Sequence, residues 1–212
     1  YAEDMTKTSL GSDGASVLWN QGDKVRVFDG SNVNAETGAD RGQIFTAQAS
    51  GSSVVISGSA DPASEEYFAI YPSTGSMNAS QEFSANIPSQ QIVSAGSFAA
   101  DCAVMVAKAS GEDMNFRNVT ALVEFNLQVG KVKSLTLIGN NNEKLTGSIK
   151  VNWNNDLPLA KSNVPEMTAT LRREDGQELS TGKYYFTILP TNFSKGFSVV
   201  LGMTDGTQKI VR

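Results

Sequence analysis

Short segments in which apolar and polar residues alternate run along most of this chain. The clearest extends from Val119 to Gln128, where the odd-numbered residues are apolar and the even-numbered ones, apart from Leu122, are polar. Neighbouring side chains of a β-strand point to opposite faces, so this period of two predicts a half-buried strand. No stretch of ten or more residues has the period of an amphipathic helix. The pattern therefore predicts an all-β protein.

Turn-forming residues separate the apolar segments at short, regular intervals, as in β-sandwiches. A polar stretch, Ser110 to Asp113, divides the segments into two series of about 100 residues each, which is a common domain size. We therefore predict two tandem β-sandwich domains, residues 1–110 and 111–212. The predicted strands are Lys24–Phe28, Gln43–Ala47, Ser53–Ser57, Tyr67–Tyr71, Gln81–Ile87, Cys102–Ala107, Phe116–Leu127, Lys133–Ile138, Leu145–Trp153, Thr168–Leu171, Lys183–Leu189, Phe197–Leu201 and Thr207–Val211.

The composition argues against several classes of function. The sequence contains no His, so the commonest general base and the commonest zinc ligand are both missing. Its net charge is −5 and its 17 Lys and Arg residues are scattered, which disfavours a nucleic-acid groove. No apolar run approaches the roughly 18 residues of a membrane span. The single cysteine, Cys102, lies in an apolar segment, and we expect a small buried residue rather than a nucleophile.

Three sets of residues could carry chemistry, and for each we favour a structural role. The acidic pairs Glu65-Glu66 and Glu174-Asp175 are adjacent in sequence, whereas glycosidase carboxylates face each other across a cleft. Segments 29–34 and 139–143 offer oxygen ligands for calcium, but they do not fit the regular calcium-loop signature and we interpret them as turns. Aromatic residues that could stack on sugars are interpreted as core residues: Trp19, Trp153, Tyr67, Tyr71, Tyr184 and Tyr185. We assign no catalytic, cofactor-binding or metal-binding residue.

Several short motifs, taken in order, resemble those of the Bacteroidales fimbrillin-like surface proteins. Val17–Phe28 (VLWNQGDKVRVF) resembles the family's opening, W-x-x-G-D-x-I-x-V-F. Phe116–Phe125 is similar to its F-x-N-x-x-A-L-x-x-F strand, and Gly182–Pro190 to its late G-x-Y-Y-x-x-x-x-P segment. Between the first two lie further matches in the same order: Tyr67–Pro72, Ile87–Gln91 and Met105–Ala107. Their order and spacing over nearly the whole chain carry the resemblance.

The resemblance implies Greek-key, transthyretin-like sandwiches in a lipoprotein that is exported, loses an N-terminal signal and is displayed on the outer membrane or in fimbriae. It implies a shaft, anchor or tip subunit of a pilus, or a related adhesin. The acylated Cys of such families lies upstream of the mature region, so Cys102 does not match it and we expect a processed or trimmed form. Polymerising fimbrillins lose an N-terminal strand by arginine-specific cleavage. No Arg precedes Arg26 here, so either the cut lies upstream or this member does not polymerise that way.

Assembly by strand exchange has a simple physical basis. A sandwich that lacks one strand exposes unpaired backbone groups and a strip of core, and a strand from a neighbouring subunit satisfies both. The sequence stops at Lys209–Arg212, within a predicted strand. We attribute this first to trimming or a disordered tail. The sharper hypothesis is that the second domain lacks its last strand and is built for strand exchange.

We therefore expect a non-enzymatic structural subunit or adhesin of cell-surface fimbriae. Its expected partners are other pilus subunits and a host or bacterial surface glycan or protein receptor; no cofactor, nucleic acid or transmembrane span is expected. An alternative from another class is a surface glycan-binding lipoprotein module, which predicts aromatic residues exposed in line on one face. A glycan-acting enzyme is the third hypothesis, and it predicts two carboxylates facing each other in a deep cleft.

Overall fold

The regular structure of this protein consists of β-strands. The computed structural model describes residues 8–14, 16–29, 39–40, 42–59, 64–94 and 96–212. Within these residues there is no helix, and so none that could cross a membrane. This confirms the prediction of an all-β fold.

The strands and their bounds, in chain order, are β1 Ser9–Leu10, β2 Val17–Leu18, β3 Lys24–Phe28, β4 Ala39–Asp40, β5 Gln43–Ala47, β6 Ile56–Ser57, β7 Tyr67–Tyr71, β8 Ser76–Asn78, β9 Phe83–Ile87, β10 Gln90–Ile92, β11 Met105–Ala109, β12 Arg117–Asn118, β13 Ala121–Leu127, β14 Val132–Gly139, β15 Thr146–Asn154, β16 Leu157–Glu166, β17 Thr168–Arg172, β18 Gly182–Ile188, β19 Phe197–Met203 and β20 Gln208–Val211.

The chain forms two compact units, and neither is continuous in sequence. Unit 1 comprises Tyr1–Ala85, Ala103–Val119 and Lys150–Ala160. Unit 2 comprises Asn86–Cys102, Thr120–Ile149 and Lys161–Arg212. The chain passes from one unit to the other within strands β9, β15 and β16. The predicted division into consecutive domains, 1–110 and 111–212, stays a prediction.

Unit 1 contains an antiparallel six-stranded sheet in the order β12-β11-β7-β3-β5-β6. Because side chains alternate along β3, Val25 and Val27 lie on one face of this sheet and Phe28 on the other. The first face carries a core cluster that includes Trp19. On the second face, the ring of Phe28 contacts that of Phe83 edge-on, with the ring centroids 6.0 Å apart.

The motif Trp19-Asn20-Gln21-Gly22-Asp23 forms a turn that leads into β3. Gly22 has a φ of 90°, a conformation that glycine adopts without steric cost. The buried carboxylate of Asp23 accepts a hydrogen bond from the backbone N–H of Asn20 at 2.8 Å. Trp19 is 8% exposed and packs edge-on against Phe116, with ring centroids 5.0 Å apart. The motif thus fixes one end of the unit 1 core.

Two sheets of unequal size lie wholly within unit 2. One has five strands in the order β10-β17-β14-β19-β20, and the other pairs β13 with β18. Residues 86–87 of β9, 146–149 of β15 and 161–166 of β16 also belong to this unit. The core between the two sheets is made of alternating residues, such as Leu135 and Leu137 from β14 and Phe186 and Ile188 from β18. Because one sheet has five strands and the other has two, the edges of the two sheets are not equivalent.

Candidate interaction edge

Most of the aromatic residues considered as a sugar-stacking platform contribute to cores. Trp19 and Tyr71 are buried in unit 1 with their ring centroids 5.6 Å apart, and Tyr185 is buried in unit 2. Tyr67 is half-buried against the same cluster as Trp19. The two others, Trp153 and Tyr184, are also half-buried, and the Tyr184 hydroxyl donates to the backbone carbonyl of Ser180 at 2.7 Å. These six residues do not form an exposed row.

One residue of each acidic pair makes an ion pair with a nearby basic residue on the surface. Glu66 lies 3.0 Å from the Lys108 ammonium. Asp175 accepts two hydrogen bonds from the Arg173 guanidinium, at 2.9 and 2.6 Å, and these bonds lower the pKa of Asp175 to about 2. Glu65 and Glu174 are exposed. Each pair therefore lies in a surface turn, as expected from the sequence.

The remaining candidates are a thiol and two loops. Cys102 forms no disulfide and is buried, which fits the interpretation as a small core residue. Of segment 29–34, only Asp29 belongs to the described residues, and its backbone carbonyl accepts a hydrogen bond from the Ser64 hydroxyl at 2.6 Å. Segment 139–143 forms a loop between β14 and β15. Within the described ranges, no group of three or more His, Cys, Asp or Glu residues is placed to hold a metal ion.

The outer edge of β13 is the most conspicuous unpartnered feature of unit 2. One edge of this strand pairs with β18 over seven residues, from Ala121 opposite Ile188 to Leu127 opposite Gly182. The other edge has no strand beside it, and its backbone groups make no hydrogen bond with any residue that the structure describes. Val123 and Phe125, on the core-facing side, are only half-buried. An unpaired edge beside a partly covered core is a site where a further strand can add.

The edge strand of the five-stranded sheet, β20, also has an incompletely covered position on its core side. In the β19–β20 pair, Val211 lies opposite the buried Val199, and Lys209 opposite the buried Leu201. Residues directly opposite in an antiparallel pair share a face of the sheet, so Val211 is directed toward the core side. It is nevertheless 45% exposed.

The opposite side of unit 2 is closed by residues 88–94, which we call the closing segment. Its backbone pairs with β17, with Gln90 opposite Thr170 and Gln91 opposite Leu171. The fully buried side chain of Gln91 reaches β18 of the other sheet. Its amide nitrogen donates to the Thr187 carbonyl at 2.6 Å, and its amide oxygen accepts from the Thr187 N–H at 3.0 Å. The Gln91 side chain thus replaces a neighbouring strand at this edge.

Charge lies on the outward face of the two-stranded sheet. Glu124 of β13 and Lys183 of β18 form an exposed ion pair, with a carboxylate oxygen 3.1 Å from the ammonium. The hydrogen bond to Glu124 raises the pKa of Lys183. The pair is directed away from the core, because Val123 and Phe125 occupy the inner face. The inner positions beside β13 are therefore apolar and the outer ones polar.

Neither edge feature was identified from the sequence. The alternation that predicts β13 does not state which strands pair with it. The segment Ile87–Gln91 was noted only for its order among the family-like motifs. A buried Gln within a short strand has no apolar pattern of its own. The one signal present was the position of Gln91 three residues after Pro88, the residue that follows the end of β9.

No family model matches this chain. No curated protein matches the sequence significantly. The fold is similar to that of a crystal structure of a Bacteroides uniformis protein that is named provisionally as a cell adhesion protein, with a TM-score of 0.57 and 11% sequence identity. The alignment covers 100% of this chain and 85% of that chain. At this identity the similarity shows a shared fold.

Proposed function

We propose that this chain is a non-catalytic cell-surface protein of the Bacteroidales type, serving as a structural subunit or adhesin of fimbriae. The structural similarity to the Bacteroides uniformis protein supports an adhesin-like role. The order of the fimbrillin-like motifs supports a fimbrial one. Export as a lipoprotein, removal of an N-terminal signal and attachment to the outer membrane belong to the same proposal.

The subunits join by addition of a strand to the outer edge of β13. The observation that carries this proposal is the unequal pair of sheets in unit 2, with β13 unpaired on one edge. A strand from a neighbouring subunit gains backbone hydrogen bonds to β13 and covers Val123 and Phe125. Its inner positions are apolar, and its outer positions are polar to match Glu124. On the opposite side of unit 2 the closing segment already occupies the edge, so a strand from another subunit does not add there.

No observation favours a glycan-binding module as a second function. That hypothesis requires aromatic side chains exposed in line on one face, and the six residues considered for it are buried or half-buried. Binding to a receptor of the host or of another bacterium remains part of the adhesin proposal. Binding experiments on the assembled protein would identify that receptor.

The proposal is tested on the full-length protein, with and without an arginine-specific protease, by size-exclusion chromatography and electron microscopy. We expect protease-dependent oligomers or filaments. Arg26 lies in the central strand β3 and donates to the Ser73 carbonyl at 2.8 Å, so cleavage there would disrupt the folded sheet. A protein that stays monomeric after confirmed cleavage upstream of the fold contradicts a shaft role.

Proline substitutions at two adjacent positions of β13 test whether its outer edge accepts the added strand. N–H groups of neighbouring residues on a strand point to opposite edges, so Leu122→Pro and Val123→Pro remove one donor facing β18 and one facing outward. We expect one of the two variants to keep a melting temperature near that of the wild type and to lose assembly. If the well-folded variant assembles normally, β13 is not the acceptor.

A further inference from the structure

The loop between β14 and β15 contains a buried carboxylate that lacks a counter-charge. Glu143 is 9% exposed. One of its oxygens, Oε2, accepts a hydrogen bond from the backbone N–H of Asn141 at 2.8 Å. The other, Oε1, is fully buried and accepts no hydrogen bond from any described residue. Across the described ranges, no Lys or Arg forms an ion pair with Glu143.

An ionised carboxylate in this position requires a positive partner. Burial of a charge without pairing is strongly unfavourable, and buried charges in proteins are paired or coordinate metals. The N–H of Asn141 already donates to one oxygen of the carboxylate, which leaves the other oxygen without a partner among the described residues. Gly139 leaves room for the group, since a Cβ at this position would overlap the Glu143 carboxylate. The loop is therefore shaped around an acidic side chain.

The loop is held in one conformation by Asn140. The backbone N–H of this residue donates to the Gly196 carbonyl at 3.1 Å, and its side-chain amide donates to the Lys195 carbonyl at 3.1 Å. Its side-chain oxygen accepts from the Ser198 hydroxyl at 2.8 Å. These contacts tie the loop to the start of β19. Asn140 is thus committed to the fold, whereas Asn141 and Asn142 are exposed beside Glu143.

We propose that Glu143 and the oxygen atoms of the Gly139–Asn142 loop bind a calcium ion. The donors in this segment are one carboxylate, amide oxygens and backbone carbonyls, which are the ligands that Ca²⁺ prefers. The sequence has no His, and its single Cys is buried elsewhere in the chain, so softer metals have no suitable ligand here. With one charged ligand, we expect a dissociation constant of about 10⁻⁴ to 10⁻³ M, as in extracellular modules. The sequence pattern alone had favoured an ordinary turn.

The test compares thermal unfolding of the wild type, Glu143→Gln and Glu174→Gln in EDTA and in 10 mM CaCl₂, with MgCl₂ at matched ionic strength as the ion control. Glu174 is an exposed acid in another turn and serves as the matched control. For ten-fold saturation over the dissociation constant we expect calcium to raise the melting temperature of the wild type by about 3–6 °C. Glu174→Gln should keep this shift and Glu143→Gln should lose it.

The order of stability of the wild type and Glu143→Gln should also reverse between EDTA and calcium. In EDTA, Glu143→Gln should be at least as stable as the wild type, because the substitution removes an uncompensated buried charge. In calcium, the wild type should be the more stable protein. A wild type that does not respond to calcium, or a calcium shift that persists in Glu143→Gln, overturns the proposal.

A second measurement covers the case in which Glu143→Gln does not fold. Calcium added to the ¹⁵N-labelled wild type should shift the amide resonances of residues 139–143, and that of Asn141 most, because its N–H contacts the carboxylate. Shifts confined to other parts of the chain would contradict the site. This experiment is performed on the monomer, so its outcome is independent of assembly through β13.

Discussion

Substitution of Gln91 tests how the closed side of unit 2 is held together. Gln91→Leu introduces an apolar side chain of similar length and removes both hydrogen bonds to the Thr187 backbone, at 2.6 and 3.0 Å. Both residues are fully buried, so water does not replace the lost partner. A buried backbone group left without a partner costs about 1–3 kcal/mol. With two such groups, unit 2 should lose about 2–6 kcal/mol of its free energy of unfolding.

The assay is amide hydrogen exchange of β14 and β18 at increasing urea concentrations. Both tryptophans, Trp19 and Trp153, belong to unit 1, so their fluorescence would not report on unit 2. Gln90→Leu is the matched control, because Gln90 is the exposed neighbour in the same short strand. A loss below about 0.5 kcal/mol for Gln91→Leu, or a loss equal to that of the control, would refute the reasoning.

The related variant Gln91→Glu gives a test with a defined pH dependence. At neutral pH its carboxylate would face the Thr187 carbonyl oxygen, whereas the protonated acid could donate to that oxygen. The folded state should therefore raise the pKa of the introduced Glu above its unfolded value of about 4.3. Relative to the wild type, the variant should be most stable below about pH 4.3 and should lose stability as the pH rises through the folded pKa. A difference that is constant between pH 4 and 7 would contradict this account.

The remaining predictions concern the core, the turn and one surface pair. Trp19→Ala should lower the free energy of unfolding of unit 1 by about 3–5 kcal/mol in urea, because it leaves a cavity in the core; a loss under about 1 kcal/mol would argue against burial. Asp23→Ala should cost about 1–3 kcal/mol in the same assay, because the Asn20 N–H loses its acceptor. Asp175 should titrate by NMR with a pKa of about 2, and Arg173→Gln should return this pKa toward 3.8. Because the folded pKa of Asp175 is lowered, the contribution of this pair to stability is present above pH 3.8 and is lost as the pH falls through about 2.

Three strands of unit 1 were predicted with their exact bounds from the sequence. The predicted bounds of Lys24–Phe28, Gln43–Ala47 and Tyr67–Tyr71 coincide with β3, β5 and β7. In β3 the reason is local, because Val25 and Val27 must be buried together and only an extended chain places them on one face. Such a pattern determines the strand without any knowledge of its neighbours.

The strands missed from the sequence lack this pattern. The longest, β16 (Leu157–Glu166), is mostly exposed and contains Pro158 and Pro165, which are unfavourable in central strands. It lies at the edge of the five-stranded sheet β16-β15-β9-β8-β4, where proline is tolerated. The three-residue strand β10 was missed because its buried residue, Gln91, is polar. The partner of β10 is distant, because Gln90 lies opposite Thr170, whereas β16 pairs with β15, the strand directly before it.

The open edge of β13 could not be predicted for a similar reason. The alternation from Ala121 to Leu127 correctly indicated a half-buried strand. Whether its second edge is covered depends on the number of strands that join each sheet. Even its one partner, β18, lies about 60 residues further along the chain. The loop at Glu143 shows the same limit, because the lack of a partner for its carboxylate becomes visible only once the neighbouring residues are placed.

The most direct test of the proposed assembly is residue-resolved hydrogen exchange of β13 in the monomer and after arginine-specific processing of the full-length protein. In the monomer, the N–H groups that face β18 should be protected and the alternating ones that face outward should exchange fast. We predict that the outward-facing amides between Ala121 and Leu127 become protected in the oligomer. Oligomers in which these amides still exchange as fast as in the monomer, while new protection arises on other strands, would contradict strand addition at β13.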